Sequence, residues 1–276
     1  MSEQTPAERS YAERHAAAHD VLSTLVPGLD PEKATAGMAR RYGALGSFAQ
    51  DFVLGDLWSR PQLSRRDRSM IVIAFLATLG SEEELFLHCK GGLNHGLSRT
   101  EIDEILLHVA AYAGFPTALP AARVWDRVQN ELDGVDRRPP KDPAASKSDA
   151  ERRADAHDVL SGLTGGRIDA DPAVARANLV ERLGPVGELA YDWAFGEVWA
   201  RGELSRRDRS MVVCAILAML GRHDEFRVHV PGALQHGCTA AEVEEIMVQL
   251  VVYGGFPRAV EAIKHARACI ARAEGR

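Results

Sequence analysis

Apolar residues recur along this chain at the three- and four-residue intervals of amphipathic helices. One such face comprises Ile102, Ile105, Leu106 and Val109. Two strongly apolar runs, Met70–Leu79 and Met211–Leu220, are about half as long as the roughly 20 residues that span a bilayer. They therefore predict buried helices rather than membrane spans. Because no segment alternates convincingly between apolar and polar residues, the pattern predicts an all-α fold.

Capping signals mark where several of these helices begin and end. Ser64 and Ser205 each precede an aspartate by three residues, which is the spacing of an N-cap and an acidic residue in the first turn. The helices that follow are predicted to end at Gly80 and Gly221, because glycine commonly terminates helices. A second capping signal begins at Ser98 and recurs in the other half of the chain. These signals predict about five to six helices in each half.

The second half of the chain repeats the first. The run Leu63–Met70 recurs unchanged as Leu204–Met211, at an offset of 141 residues. Upstream, Ala18–Ser23 returns as Ala156–Ser161 at an offset of 138, so the second copy contains three extra residues. We place them near Gly165-Gly166. A fixed offset over this length identifies a tandem duplication.

The duplication sets the expected domain organisation. Residues 1–130 are predicted to form a first helical domain, and residues 147–276 a second of the same fold. Between them, residues 131–146 contain Arg-Arg-Pro-Pro-Lys-Asp-Pro and little apolar content, which does not suit a packed helix. We interpret this segment as a linker.

Composition narrows the class of protein. With 46% hydrophobic and 26% charged residues, the chain resembles a well-packed globular protein. Its net charge of −6 argues against a nucleic-acid partner, because binding to phosphates needs clustered Lys and Arg. The stretch Met1–Tyr11 lacks the basic and apolar regions of a secretory signal, so we expect a cytoplasmic protein with no membrane partner.

Comparison of the two copies separates candidate chemistry from incidental residues. The chain has 10 histidines, and three pairs of them occupy equivalent positions: His19 and His157, His88 and His229, and His95 and His236. None of the cysteines, at positions 89, 214, 238 and 269, has an equivalent in the other copy or forms a Cys-x-x-Cys pair. We therefore expect no disulfide, no metal site and no thiol catalysis, and we interpret the cysteines as small apolar fillers.

One pair of residue types occurs twice at helical spacing. Glu84 and His88 lie four residues apart, and so do Glu225 and His229. Residues at this spacing share a helix face, where a carboxylate can orient an imidazole and raise its basicity. This arrangement suits general acid/base catalysis. The alternative is that the glutamate only stabilises the helix start and the histidine is an ordinary semi-buried residue.

Further candidates occur near these pairs in both copies. Arg68 and Arg209 follow the acidic cap of an apolar helix and are candidates for binding a carboxylate, since arginine pairs with carboxylates in a bidentate manner. The alternative for such arginines is a solvated helix start. The remaining candidate substrate-binding residues are His95, His236, Trp58 and Trp199. The tryptophans suit a core or pocket wall as well.

Taken in order, these motifs strongly resemble the carboxymuconolactone decarboxylase family. The resemblance depends on Gly55-Asp-Leu-Trp58, Leu63-Ser-Arg-Arg-Asp-Arg-Ser69, Glu84-x-x-x-His88, Gly91-Gly-Leu-Asn-His-Gly-Leu-Ser98 and Tyr112-Ala-Gly-Phe-Pro116. The related alkylhydroperoxidase D group carries Cys-x-x-Cys-x-x-x-His on the same helix. Here the cysteine positions hold Ser81 and Glu84 in one copy, and Arg222 and Glu225 in the other. The resemblance therefore points away from thiol peroxide reduction.

The resemblance implies two alkylhydroperoxidase D-like helical domains and a ring assembly. Members of the family form rings of small subunits, commonly hexamers, so a fused pair is expected to form a homotrimer that imitates a hexamer. The implied activity is decarboxylation of a small carboxylated lactone without a cofactor. His88 and His229 would be the acid/base, with Glu84 and Glu225 as their partners. An isomerase, cyclase or dehydratase acting on a polyketide-like lactone or enone is the alternative, and a non-catalytic ligand-binding ring is a third possibility.

Overall fold

The computed structural model describes residues 9–133 and 147–275, and within these ranges it contains fourteen α-helices and no strand. The first copy provides α1 (Tyr11–Leu25), α2 (Pro31–Tyr42), α3 (Ala44–Phe48), α4 (Arg65–Leu79), α5 (Glu82–Asn94), α6 (Arg99–Ala113) and α7 (Phe115–Asp133). The second provides α8 (Asp149–Thr164), α9 (Pro172–Leu183), α10 (Pro185–Leu189), α11 (Arg206–Leu220), α12 (Phe226–Gln235), α13 (Ala240–Gly254) and α14 (Phe256–Ala273). The prediction of an all-α, duplicated fold is confirmed.

Each copy also contains a stretch of π-helix that continues its shortest helix. The first, π1, spans Ala49–Leu57, and the second, π2, spans Ala190–Trp199. With seven α-helices in each copy, the predicted number of five to six was too low. The shortest helices, α3 and α10, have only 5 residues each and leave too short an apolar pattern to recognise.

The predicted helix boundaries follow the capping chemistry. The Ser64 side chain accepts a hydrogen bond from the Asp67 backbone, and α4 ends at Gly80 in the left-handed conformation with φ +77°. The equivalent helix α11 begins at Ser205 and ends at Gly221 in the same way. In the expected linker, the first three residues continue α7 to Asp133, and residues 134–146 lie outside the described ranges.

Two local differences distinguish the copies. Helix α8 ends at Gly165, and a longer connection to α9 follows, which places the extra residues where the sequence comparison did. In addition, a single helix α5 in the first copy corresponds to a 3₁₀ turn, His223–Glu225, followed by α12 in the second. Pro231 lies inside α12.

The two copies share one hydrophobic core. Helices α4 and α11 pack against each other, α11 also packs on α6, and α4 on α13. The buried core cluster contains Ile71, Phe75 and Val109 from the first copy together with Ile216 and Leu250 from the second. Within the described ranges, no helix is long and apolar enough to cross a membrane.

Ion pairs between the copies occur in reciprocal sets, as a two-fold relation requires. Arg66 Nη2 lies 2.8 Å from an Asp208 oxygen, and the equivalent Arg207 Nη2 lies 3.0 Å from an Asp67 oxygen. The arginine of each copy thus contacts the aspartate of the other copy. This reciprocity relates the copies by a pseudo-two-fold axis that passes between α4 and α11.

A second reciprocal set is fully buried. Arg68 Nη2 lies 2.8 Å from Glu245, and Arg209 Nη1 lies 2.8 Å from Glu104. All four side chains have at most 2% of their surface exposed. Each glutamate also accepts a hydrogen bond from a more exposed arginine of the other copy. The arginines at the start of the two central helices therefore hold the copies together.

We expect Glu245→Ala to lower the free energy of unfolding by about 3–5 kcal/mol, because it leaves the buried guanidinium of Arg68 without its carboxylate. Urea denaturation followed by circular dichroism measures this loss. As a control, Arg65→Ala removes an exposed pair with Asp20 and should cost less than about 1 kcal/mol. Equal losses in the two variants would contradict a structural role for the buried pair.

Candidate active site

The two histidines of the Glu-x-x-x-His motifs are buried against tryptophan rings. His88 on α5 has 8% of its surface exposed, and His229 on α12 has 5%. The His88 ring stacks on Trp58 with 5.7 Å between centroids, and the His229 ring stacks on Trp199 with 5.9 Å. Since both tryptophans are buried, they form the wall behind each histidine.

Each of these walls is completed by a tyrosine from the other copy. The indole nitrogen of Trp58 donates to the Tyr253 hydroxyl over 3.1 Å, and that of Trp199 donates to the Tyr112 hydroxyl over 2.7 Å. The Tyr112 hydroxyl oxygen lies 3.5 Å from His229 Nε2, at the outer limit of a hydrogen bond. Both candidate sites are therefore composite, with a histidine from one copy and a tyrosine from the other.

Local structure explains how these side chains come together. Trp58 directly follows π1, and Trp199 is the last residue of π2, so the wide helical turns position both indoles. Single turns of π-helix occur frequently at functional sites. Tyr112 and Tyr253 lie in the last turn of α6 and α13, the helices that cross to the other copy.

Burial sets the charge of the histidines. It lowers the pKa of His88 to about 4, helped by the neighbouring His95, and it lowers the pKa of His229 to about 4 as well. Both rings are therefore neutral near pH 7. The Nδ1 atoms of both are buried without a hydrogen-bond partner among the described residues. A neutral imidazole with one unoccupied ring nitrogen can exchange a proton with a bound ligand.

The glutamates of the motif do not contact these histidines by hydrogen bond. Glu84 is exposed, and its carboxylate accepts a hydrogen bond of 2.6 Å from Ser81, which lowers the pKa of the carboxyl group. Glu225 is exposed at the end of the 3₁₀ turn. Although Glu84 and His88 share a helix, the predicted orienting contact is not made within the described structure, because the carboxylate turns to solvent while the imidazole turns inward.

Arg68 and Arg209 are occupied by protein acceptors. Arg68 donates to Glu245, to the Gln249 side chain over 2.7 Å and to the Arg60 carbonyl over 2.7 Å. None of the side chain is exposed, these contacts join the two copies, and Nε has no hydrogen-bond partner among the described residues. Binding of a substrate carboxylate by Arg68 stays a prediction. Arg209 is held in the equivalent way by Glu104 and backbone carbonyls.

His95 and His236 also lie near the two tryptophans. Each is 6.1 Å from its tryptophan ring, and each Nδ1 pairs with a serine hydroxyl, Ser69 at 2.7 Å and Ser210 at 2.8 Å. Burial lowers the pKa of His95 to about 4 and also lowers that of His236. The structure thus brings three of the predicted side chains together in each copy: a tryptophan and the two histidines that lie near its ring.

Sequence reasoning missed the contribution of the opposite copy. Tyr112, Tyr253, Glu104 and Glu245 all occur in both copies, which is the one signal that could have singled them out. Their partners lie between 87 and 195 positions away along the chain, and no local pattern specifies such a pairing.

Two further features bear on the chemistry. All four cysteines are free and buried, and burial raises the pKa of the Cys89 thiol to about 12, so a reactive thiolate is disfavoured. A cavity of about 820 Å³ lies between α6 and π2 and does not have His229 among its lining residues. Its lining includes Phe115, Arg152, Val186, Leu189, Trp193 and Glu197.

The buried histidines predict a defined pH dependence. Their pKa of about 4 in the folded chain lies below the ordinary value of 6.5, so unfolding takes up protons between these limits. We expect the free energy of unfolding to have its full value above about pH 6.5 and to decrease as the pH falls towards 4. Ring resonances of His88 and His229 measured by NMR should titrate near pH 4. Titration midpoints near pH 6.5 would contradict the buried, neutral state. In the double variant His88→Gln, His229→Gln, the free energy of unfolding should depend less steeply on pH.

Comparison with known proteins identifies the family of the chain. The model of the carboxymuconolactone decarboxylase family matches residues 44–127 and 185–268, which together are more than half of the chain. The 4-carboxymuconolactone decarboxylase of Acinetobacter baylyi is 38% identical over 86 residues, 31% of this chain and 64% of that protein. The nitrosuccinic acid decarboxylase of Metarhizium robertsii is 33% identical over 82 residues, 30% of this chain and 57% of that protein. The chain thus spans about three fifths of the length of these curated relatives. It belongs to the carboxymuconolactone decarboxylase family, with the family's domain present twice in tandem.

Proposed function

We propose that the protein is a cofactor-independent carboxy-lyase that removes CO₂ from a small carboxylated lactone by general acid/base catalysis. The observation that carries this proposal is the pair of buried, neutral histidines, His88 and His229, each with an unoccupied ring nitrogen and a tyrosine facing it from the other copy. The duplication retains this arrangement twice, whereas it retains no cysteine.

The reaction needs a proton donor and a group that stabilises the negative charge formed when CO₂ leaves. When the bond to the carboxylate carbon breaks, CO₂ departs and the electron pair delocalises into the conjugated lactone carbonyl as an enolate. A hydrogen-bond donor at the enolate oxygen stabilises this charge in a site that excludes water. One proton then binds to the carbon that lost CO₂ or to the carbon conjugated with it. The histidine donates this proton and regains one from solvent. A developing anion beside the ring raises the histidine pKa from its low resting value and so favours this transfer.

The neighbouring side chains support the histidine in distinct ways. The Tyr112 hydroxyl accepts from Trp199 and faces His229 Nε2, so it can fix the imidazole tautomer that leaves Nδ1 for the substrate. We assign this orienting role in the His229 site to Tyr112 instead of Glu225. In the His88 site, the ring of Tyr253 packs edge-on against the imidazole. Burial raises the pKa of Tyr112, so the hydroxyl keeps its proton.

The relatives favour decarboxylation over isomerisation. Two curated proteins that match this chain are both named as decarboxylases, one of 4-carboxymuconolactone and one of nitrosuccinic acid. Both names denote loss of CO₂ from a compound with an electron-withdrawing group that can accept the electron pair. A carbonyl-conjugated acid is therefore the substrate class we propose.

Replacement of both histidines, His88→Gln and His229→Gln, should lower CO₂ release by 10²–10⁴-fold, the usual contribution of a general acid/base. The assay is incubation with 4-carboxymuconolactone in heavy water, reading CO₂ together with deuterium bound to carbon. Circular dichroism should remain that of the helical wild type. Retained turnover in the folded double variant would refute the assignment, and deuterium exchange without CO₂ would indicate an isomerase.

The composite sites predict a crossed pattern of tyrosine effects. In a His88→Gln background, only the His229 site works, and its tyrosine is Tyr112. There Tyr112→Phe should lower kcat about tenfold, the value of one hydrogen bond of about 1.4 kcal/mol. Tyr253→Phe in the same background is the matched control and should leave kcat within about twofold. The reverse pattern would show that each site is built within one copy.

We also propose a homotrimer, as the family resemblance implies. Large apolar side chains are exposed in two surfaces that the duplication relates. The first contains Phe115, Val186, Leu189 and Trp193, between 53% and 67% exposed, and the second contains Leu45, Phe48 and Phe256, between 52% and 69% exposed. Soluble monomers rarely expose such clusters, which instead mark protein contacts.

The trimer predicts a light-scattering mass of about 90 kDa, three times the 30.1 kDa of one chain. Trp193→Asp should shift the mass towards that of a single chain, because a carboxylate in an apolar contact is costly to bury. Leu29→Asp, at a residue 40% exposed outside both surfaces, is the control and should leave the mass unchanged. A wild-type mass of about 30 kDa would contradict the assembly.

A further inference from the structure

The two copies differ at one position beside a histidine that both retain, His95 in the first copy and His236 in the second. In the first copy, Thr24 Oγ1 lies 3.1 Å from His95 Nε2 and accepts a hydrogen bond of 3.3 Å from Arg65 Nη1. The same hydroxyl donates to the Val21 carbonyl over 3.0 Å. Since its hydrogen is used there, the threonine oxygen accepts from His95, whose Nε2 therefore carries the proton.

The second copy retains the histidine, the serine and the arginine but lacks the hydroxyl. Gly162 stands in the position of Thr24, and an added Cβ there would lie 3.3 Å from His236 Nε2 and 3.5 Å from Arg206 Nη1. His236 pairs with Ser210 through Nδ1, as its equivalent does with Ser69. Its Nε2 is buried and has no hydrogen-bond partner among the described residues. His236 Nε2 and Arg206 Nη1 thus both face the place where the first copy has the side chain of Thr24.

A cavity of about 440 Å³ opens at this place. Its lining includes Asp158, Gly162, Gly165, Arg206, Gln235 and His236. Gly165 belongs to the longer connection after α8, so the extra residues of the second copy help to shape the cavity. Gly162 lies within the last turn of α8. Because glycine has a low helix propensity, the absence of a side chain at this position lowers the stability of the helix.

The charges around the cavity select what can bind. Arg206 Nη2 already pairs with Asp158 at 2.6 Å, so the guanidinium has no excess charge to offer an anion. The carboxyl-terminal turn of α8 adds the negative end of its helix dipole. A neutral group that accepts from His236 and Arg206, and donates to a carbonyl of α8, reproduces all the contacts of Thr24. An alcohol hydroxyl does this, whereas a carboxylate has no hydrogen to donate.

From this geometry we propose that the second copy alone contains a binding site for the hydroxyl group of a small neutral molecule, formed by His236, Arg206 and Gly162. The site adjoins the candidate active site, since the Trp199 ring lies 6.1 Å from the His236 ring and 5.9 Å from the His229 ring. The proposal goes beyond decarboxylation, because it concerns binding and holds whatever reaction His229 performs. It makes the two sites of one chain selective for different ligands.

The test uses the full chain with ¹⁵N-labelled histidine rings and cyclohexanol as probe. We expect a saturable shift of the His236 Nε2 resonance in the wild type and at least a tenfold weaker affinity in Gly162→Thr. Gly162→Thr should also raise the midpoint of thermal unfolding, because its hydroxyl supplies the missing partner. The chain offers the reverse variant: Thr24→Gly should create saturable binding at His95.

Two matched probes separate the alternatives. Cyclohexanone accepts hydrogen bonds without donating, and cyclohexanecarboxylate adds a negative charge, so both should bind more weakly than cyclohexanol. Tighter binding of the carboxylate would overturn the proposal in favour of an anion site. No shift of His236 with cyclohexanol, or equal affinity in wild type and Gly162→Thr, would also overturn it, since the cavity would then hold only water. None of these outcomes depends on turnover, so they stand apart from the test of His88 and His229.

Discussion

The buried pairing of Arg68 with Glu245, and of Arg209 with Glu104, is the contact on which the rest of the structure depends. A guanidinium with no exposed surface must be compensated, and among the described residues the other copy supplies the carboxylate. This requirement fixes how α4 and α13 meet, and by symmetry α11 and α6. The same helices end in Tyr112 and Tyr253, so the pairing that holds the copies together also delivers a hydroxyl to each candidate site.

Within this symmetric frame the two sites are not identical. Gln249, which bonds Arg68 in the first site, is replaced by His108 in the second, and its ring packs edge-on against Trp199. The first copy has a continuous α5 before its histidine, whereas the second has a 3₁₀ turn and Pro231. In two separate subunits of one gene such differences could not arise, because every substitution would appear in both. A fused pair permits each site to change alone.

Features that depend on residues close together in the sequence could be predicted, whereas features that depend on residues far apart could not. Helices with strong caps, such as those beginning at Ser64 and Ser205, depend on neighbouring residues and were predicted with their ends. The short helix α3 and the π-helical stretches depend on packing and left no local signal. The histidines were found because both copies retain them. The contacts of Arg68 and Glu84 could not be predicted, since the direction in which each side chain points is set by partners far along the chain or by solvent.

The tyrosine that reaches across to the opposite histidine has a consequence for how the protein behaves on dilution. In a pair of separate subunits, a site shared between chains is lost whenever the pair dissociates, and its occupancy follows the protein concentration. Fusion makes that encounter intramolecular, with an effective concentration set by the connecting segment instead of by the number of molecules in solution. Each chain therefore keeps the tyrosine of one copy beside the histidine of the other even when it is alone.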